Sequence, residues 1–499
     1  MSLLVFVVVA FAFAGVAAIM REDVRARTAL GLLGLTVALV AAVTIDPAQT
    51  VAIGGSGIAT TSYLRLFLVL GSLVGLGLAV SGLAGGSRRD APAVTLAILA
   101  ACGLTLGLVD PRAAVLVSTA GGLFGVLVTL IPGNGRAGAT VGIRETRAVI
   151  VAGALAIAAT AWFGRDLSQL RAEHVVFGLA YLAFAVAVAM RFGAIPFHLW
   201  AARLTDVVPE TALPILTAMA PASLAIVALA WTDASVAPLL VDVDAVRAVV
   251  LAIGVASIVL SAIAAYVQDD LEHVLGYSIV GDAGVVMLAL ATLEPEAWAP
   301  ARTWILVFVV ARSAFAAWIA GVRAGFWTGR ISDLRGWVWR SPFLTVAFAL
   351  VVIASIGFPG LVAFDARRSI VDLALDAPLS SLVLLATLAP LAYYGRLARI
   401  GLARPDRIVD PRGTWMPKLS RPGSTGLRQW VAEGWDVNRA FTTAAVAVVL
   451  GLLALATSAG GFGGPEAAAG LPPTLSGPGE DLSPIDVQDL PQPIESLAP

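Results

Sequence analysis

Apolar residues in this chain fall in long, nearly uninterrupted runs separated by short polar stretches. After a first run over residues 1–20, the runs centre on 28–45, 62–84, 92–109, 112–131, 147–163, 174–192, 211–231, 243–267, 273–292, 301–322, 341–364, 379–399 and 436–458. Each is close to the ~20 residues that a helix needs to cross the hydrocarbon core of a bilayer. The pattern therefore predicts an all-α polytopic membrane protein of about fourteen transmembrane helices.

Two of these runs are interrupted from within. One reads Arg191-Phe192-Gly193-Ala194-Ile195-Pro196-Phe197-His198-Leu199-Trp200, the other Ile356-Gly357-Phe358-Pro359-Gly360 followed by Phe364, Asp365, Arg367 and Arg368. Proline lacks the amide donor and clashes with the preceding turn, so helices 7 and 12 should break at Gly193/Pro196 and Gly357/Pro359. A broken helix persists at membrane depth only inside protein or beside a water-filled cavity. Arginine there is costly and faces a partner or an interior path. Paired interruptions five helices apart suggest two inverted five-helix repeats with a transport path near the midplane, although Gly and Pro are common in membrane helices generally. The chain divides accordingly into an N-terminal three-helix segment (1–91), a first repeat (92–231), a second repeat (243–400), a cytoplasmic basic loop (401–435), a last transmembrane helix (436–460) and a disordered acidic tail (461–499).

Composition agrees. The 499 residues are 59% hydrophobic and 13% charged, and mean hydropathy is +0.90. The net charge of −1 suggests no nucleic-acid partner. Cys102 is alone, and His174, His198 and His273 lack zinc spacing. No glycine-rich phosphate loop follows a strand and no nucleophile elbow is present, so no catalytic, metal or cofactor-binding residue is assigned. Any redox chemistry coupled to this chain belongs to other subunits. The only lysine is Lys418. Arginine stays protonated in proteins whereas buried lysine can lose its proton, so no intramembrane lysine is available as a carrier.

Charge also orients the helices. With the N-terminus outside, the cytoplasmic loops hold Arg88 and Arg89; Arg136, Arg144 and Arg147; Arg323, Arg330, Arg335 and Arg340; and the basic stretch from Arg396 to Arg428. The opposite loops are poor in basic residues: 46–61 carries none, and 232–242 carries none. This positive-inside asymmetry puts both termini outside the cytoplasm.

Three motifs resemble one family. Arg191 to Trp200 is similar to the segment K-x-G-x-x-P-F-H-x-W in the antiporter-like subunits of respiratory complex I and of multisubunit cation/proton antiporters. Gln268-Asp269-Asp270-Leu271-Glu272-His273-Val274-Leu275-Gly276-Tyr277-Ser278 resembles the family's Q-x-D-x-K-R-x-L-A/G-Y-S. Gly357-Phe358-Pro359 is similar to the break in its twelfth helix. The chain looks most like the subunit N branch of NADH-quinone oxidoreductase. The resemblance implies a multi-pass protein of a bacterial-type inner membrane, a subunit of a proton-translocating electron-transport complex, in contact with other membrane subunits and the lipid bilayer.

Departures from the family pattern fall on its charged residues. The family's fifth-helix glutamate has no counterpart between Asp110 and Gly133, and the two lysine positions of the seventh and twelfth helices are Arg191 and Arg367. The eighth-helix lysine falls near Pro221 to Leu224, where nothing ionises, and the basic pair is Glu272 and His273. The remaining proton-path candidates are Arg191, His198, Asp282, Arg312, Asp365 and Arg367. Arg312 lies well inside its helix and needs a partner, for which Asp282 is the available acid. Asp365 and Arg367 form either an ion pair or a solvent-exposed helix end, and His198 is a carrier or a positioned hydrogen-bonding histidine. The function expected is a proton path or its degenerate remnant in a complex I-like assembly. The alternatives are a non-conducting scaffold subunit and a stand-alone secondary transporter.

The orientation is testable in intact cells: a cysteine placed at Ser476 should react with an impermeant thiol reagent and one at Ser424 should not. The opposite pattern inverts the topology.

Overall fold

The computed structural model describes residues 2–20, 24–53, 56–85, 91–129, 135–161, 174–235, 243–404 and 427–470. Its elements are almost all helical. In the first half they are α1 (Leu3–Ile19), α2 (Val24–Val43), α3 (Ser62–Ala84), α4 (Ala91–Gly107), α5 (Pro111–Thr129), α6 (Gly135–Ala161), α7 (His174–Phe192), α8 (Leu199–Leu204) and α9 (Ala220–Ser235), the last entered through a π-helical turn at Ile215–Met219. Next come α10 (Asp244–Val267), α11 (Leu271–Thr292), α12 (Trp298–Phe326), α13 (Trp337–Arg340), α14 (Pro342–Ile356), α15 (Val362–Ala374), α16 (Ala377–Ala386), α17 (Pro390–Leu402), α18 (Leu427–Ser458) and α19 (Gly464–Ala469). Among the described residues, nine helices are long and apolar enough to cross a membrane, and Leu3–Ile19, Pro92–Gly107, Phe177–Phe192 and Pro342–Ile356 are shorter apolar helices.

The centre of the bundle is built from elements that are apolar on nearly every face and carry a few buried charges. The apolar windows of Ile215–Asp233 and of α12 are buried along their whole length, and most of α11 is buried. A helix with no polar face must be surrounded by others. Peripheral helices instead turn a stripe of large side chains outward: Leu33 and Val40 on α2, Leu260 and Ile263 on α10, Leu379, Leu382 and Leu385 on α16. Such stripes suit lipid.

In lipid, helix association depends on close backbone approach and not on the exclusion of water. The α10–α11 contact illustrates this. A Cβ added to Gly284 would lie 2.7 Å from the Gly254 carbonyl oxygen, and one added to Gly254 would lie 3.0 Å from that of Gly284. One turn on, Gly281 leaves room for the Ser261 hydroxyl, which a Cβ would meet at 2.7 Å.

The two ends of the bundle differ. At one end, Thr50–Ile53 and Ser56–Ala59 pair antiparallel, with Thr50 opposite Ala59, and Ile58 bridges to Leu108. At the other end, the segment before α11 is stitched to the segment after α12 by Leu271 N to Gly329 O (2.9 Å) and Ile331 N to Asp269 O (2.8 Å). That second end collects the arginine-bearing turns: Arg323 reaches Glu210 and Glu272, and Arg396 donates to the Tyr266 and Gln268 carbonyls.

Several sequence boundaries are corrected. The sixth helix begins at Gly135, not 147, because its small-residue stripe of Gly138, Val141 and Gly142 continues the buried face upstream. The run 379–399 is two helices, broken at Thr387 to Ala389. The stretch 46–61 holds a hairpin where only a loop was expected. The last long helix starts at Leu427, inside the range assigned to the basic loop, whose residues 405–426 lie outside the described ones. Residues 461–470, assigned to a disordered tail, form a 3-10 turn and α19, with Ala468 buried; residues 471–499 lie outside the described ones.

Replacing Gly284 with valine should lower the melting temperature of the detergent-solubilised protein, by an amount equivalent to about 1–3 kcal/mol for an overpacked contact. Gly15→Val is the control, since a Cβ at Gly15 meets nothing within 4 Å. Equal melting temperatures for the two variants would contradict the close-approach account.

Candidate functional site

The first helix break satisfies its own backbone. Helix α7 stops at Phe192, Gly193 turns at φ +66°, and the Ile195–Pro196 peptide is cis. The amide of Ala194 donates back to Ala189 O (2.8 Å), and that of Ile195 donates to Ser257 Oγ on α10 (2.9 Å). The Met190 carbonyl accepts from the indole Nε1 of Trp200 on α8 (2.8 Å). Residues of the break and of the short helix behind it thus replace the lost helical bonds, as burial requires.

Arg191 is consequently not used as a cap. Its side chain is only 3% exposed, and its Nε and NH2 have no hydrogen-bond partner. The guanidinium lies on Gly122 of α5, where a Cβ would stand 2.5 Å from NH2 and 2.7 Å from Cζ and NH1. The carboxylate that acts on it is Glu145 of α6, also 3% exposed, with Oε2 unpartnered. Oε1 of Glu145 is 3.4 Å from the Cβ position of Gly125, one turn beyond Gly122 on α5. The motifs did not single out Glu145. Its signal was available as helical period: Gly138, Val141, Glu145, Ala148, Val149 and Ala152 share the buried face, whereas Arg144 and Arg147 are exposed.

At the second break, the arginine does act as a cap. Helix α14 ends at Ile356, and Gly357 and Gly360 have φ of +56° and +93°. Arg367 of α15 reaches back to donate to the carbonyls of Ile356 and Gly357 (3.1 Å for the latter) and to that of Thr387 (3.3 Å), where α16 ends. Its guanidinium also sits over the Trp304 ring, 5.1 Å from the centroid. Cations are favoured at helix C-termini, and here one side chain serves two. Asp365 is exposed and does not pair with Arg367. The two lie two residues apart on a helix, so they point to different faces.

Near the second break lies a buried ion pair. Arg312 of α12 grips Asp282 of α11 bidentately, with NH2 to Oδ1 at 3.0 Å and Nε to Oδ2, and its NH1 donates to the Tyr394 hydroxyl at 2.7 Å. Trp304 Nε1 holds the backbone carbonyl of Asp282 (3.2 Å). Planar guanidinium and carboxylate match in this geometry, which lysine could not reproduce. A cavity beside the pair, bounded by Asp282, Arg367, Tyr277, Ser261, Thr387 and Tyr393, leaves about 20 Å³ in which a water centre fits. That is enough for a water molecule with polar neighbours.

His198, at the start of α8, has Nδ1 enclosed without a partner, and its ring centroid is 6.5 Å from that of Tyr277. Its cleft is shared with Thr205 and His273. His273 contacts Asp206 (3.3 Å) and Asp270 (3.8 Å), and Arg323 joins Glu210 (3.1 Å) and Glu272. Burial opposes ionisation of Asp270, but the His273 imidazole and the Glu272 amide outweigh it and hold this carboxyl below its ordinary value. Among the described residues no group of three or more His, Cys, Asp or Glu is arranged to hold a metal ion.

The candidates therefore fall into two groups with charge at mid-bundle. Arg191 stands with Glu145 at the first break, and Asp282, Arg312 and Arg367 stand near the second. His198 lies toward the arginine-rich end, and Asp365 joins neither group.

Residues 155–391 match the family described as NADH:quinone oxidoreductase/Mrp antiporter, TM. NADH-quinone oxidoreductase subunit N of Cereibacter sphaeroides is 31% identical over 262 residues, 50% of this chain and 55% of that protein. Subunit N of Nitrosomonas europaea is 26% identical over 234 residues, 46% of this chain and 48% of that protein. The chain thus spans about half the length of the curated relatives it matches. Two solved structures share the fold: one from the Mrp complex of Dietzia sp. DQ12-45-1b (TM-score 0.73, 18% identity, 94% of this chain and 96% of that chain) and one from respiratory complex I of Thermus thermophilus (TM-score 0.63, 20% identity, 91% and 100%). The three motifs that carry the family resemblance, Arg191–Trp200, Gln268–Ser278 and Gly357–Pro359, all lie within the matched residues 155–391.

Removing one member of a buried ion pair leaves the other unpaired, which costs about 3–5 kcal/mol. Asp282→Leu alone should therefore lower the melting temperature more than Asp282→Leu combined with Arg312→Leu. A double variant as damaged as the sum of the two singles would show that the pair is not coupled.

Proposed function

We propose that this chain is a membrane subunit of a complex I-like, proton-translocating assembly, with fourteen spans arranged around two inverted five-helix repeats. Similarity to solved antiporter-like chains over more than 90% of both partners supports the fold. The observation that carries the function is the row of buried charge at interrupted helices: Glu145 and Arg191 at one break, Asp282, Arg312 and Arg367 near the other. Buried ionisable groups beside broken membrane helices mark ion paths. Arg191, His198, Asp282, Arg312 and Arg367 would shape such a path, arginine as fixed charge that orders water and orients carboxylates. Redox cofactors would reside on partner subunits.

The arginine-rich turns at one end and the hairpin at the other support an orientation with the turns in the cytoplasm of a bacterial-type inner membrane and both termini outside. This disposition leaves the lipid-suited stripes of α2, α10 and α16 for bilayer or neighbouring subunits.

A scaffold subunit is the second reading, and two observations favour it. Arg367 is committed to three carbonyls, and Asp282 is locked bidentately by Arg312. Neither arrangement frees a group to change charge easily. Against it, Arg191 caps nothing.

The two readings separate by measurement. Solubilisation in mild detergent should copurify other membrane subunits with this chain. In the assembled complex, Arg191→Lys and Asp282→Asn should permit assembly while lowering the ratio of protons moved to electrons transferred. An unchanged ratio in both variants leaves the scaffold reading in place, and a chain that purifies alone removes the complex.

A further inference from the structure

Glu145 is the buried carboxylate at the first break, and no motif accounts for it. The structure assigns it the proton-exchanging role there: we propose that Glu145 takes up and releases a proton through water, opposite Arg191 as a fixed cation, with Gly122 providing the clearance. This rests on the reading of the chain as part of a proton path.

Three observations carry it. First, α5 offers no acid at this level. The guanidinium tip lies against Gly122, where a Cβ would stand 2.5–2.7 Å from NH2, NH1 and Cζ. The carboxylate beside this face of α5 comes from α6, with Oε1 of Glu145 at 3.4 Å from the Cβ position of Gly125. Second, polar atoms of both partners are enclosed yet unbonded: Oε2 of Glu145, and Nε and NH2 of Arg191. Each residue acts on the other electrostatically without a hydrogen bond between them. A bridging molecule that both donates and accepts, as water does, would satisfy both sets of atoms. Third, only one member of the pair can change state, because a guanidinium does not release its proton at working pH.

Among the described residues, α5, α7 and α8 carry no second carboxylate. Helix α6 packs against α5, α7 and α8. From α5 the ionisable group is Arg112, at the opposite helix start; from α8 it is Arg203, exposed and paired with Asp206 at 3.5 Å, with His198 at that helix's first turn. Arg144 and Arg147 on α6 itself are exposed. Cys102 of α4 lies on the Arg191 side. The step is a proton transfer alone. A carboxylate oxygen of Glu145 forms an O–H bond as an O–H bond of a hydronium in the water chain breaks and leaves neutral water; the pair goes from neutral to singly positive, and the reverse step returns the proton to water as hydronium. No electrons move.

A hydrophobic carbodiimide tests it, since this reagent adds to protonated carboxyl groups in apolar surroundings. The complex in native membranes is treated across a pH series, and the adduct is located by peptide mass spectrometry. Glu145 should be labelled, with labelling falling as pH rises. Arg191→Gln should extend labelling upward by about 1–3 pH units, because loss of a nearby positive charge favours the neutral acid. Arg191→Lys, which keeps the charge, should hold the midpoint near that of the native protein. No adduct at Glu145 at any pH in the unmutated protein overturns the inference, whether or not the variants fold, and so does a midpoint indifferent to Arg191→Gln. Labelling at Glu145 in a chain that copurifies with no partner supports this inference while removing the complex reading. An assembled complex that never labels there does the reverse.

Discussion

A backbone amide or carbonyl set free inside a membrane has no solvent to turn to, and much of this structure follows from how two helix breaks meet that demand. At the first break the demand is met by neutral groups, the Ala189 carbonyl, the Ser257 hydroxyl of α10 and the Trp200 indole. At the second it is met by a charged side chain, Arg367, which gathers carbonyls from the ends of α14 and α16. The arginines beside the two breaks thus differ in availability. Arg367 is consumed by architecture, while Arg191 is left over.

That asymmetry extends to the acids. Asp282 is held by two donors of one guanidinium, Nε and NH2 of Arg312, and, through its backbone carbonyl, by Trp304. Glu145 faces its cation across a gap lined by two glycines. In a low-dielectric interior, both arrangements offset the cost of burying charge, but a direct bidentate pair is rigid and a mediated one is not. The second half of the bundle is therefore the stiffer in electrostatic terms, and the first half holds the ionisable group with freedom to respond.

Much of the fold was legible in the sequence because lipid allows few solutions. Long apolar runs mean helices, and Gly-Pro interruptions within them mean breaks; α7/α8 and α14/α15 separate where Gly193–Pro196 and Gly357–Pro359 stand. The partnership of Arg312 with Asp282 was readable too, since each was the obvious answer to the other's burial. What was not legible depended on rotation and on cross-chain distance. Glu145 looked like part of a basic loop because Arg144 and Arg147 flank it, and only the helical turn separates its face from theirs. Asp365 and Arg367 looked like neighbours for the opposite reason. The break at Thr387 carries no glycine; its carbonyl is held by Arg367, far away in the chain.

A residue without a side chain can set the terms on which its neighbours meet. Gly122 leaves room for the tip of Arg191, since a Cβ there would stand 2.5 Å from NH2, and any side chain added at this position would displace the guanidinium. Such a displacement would move the cation relative to Glu145, whose Oε1 lies 3.4 Å from the Cβ position of Gly125 on the same helix. Position 122 therefore acts as a spacer: it helps to set how far apart two charges stand without itself carrying one.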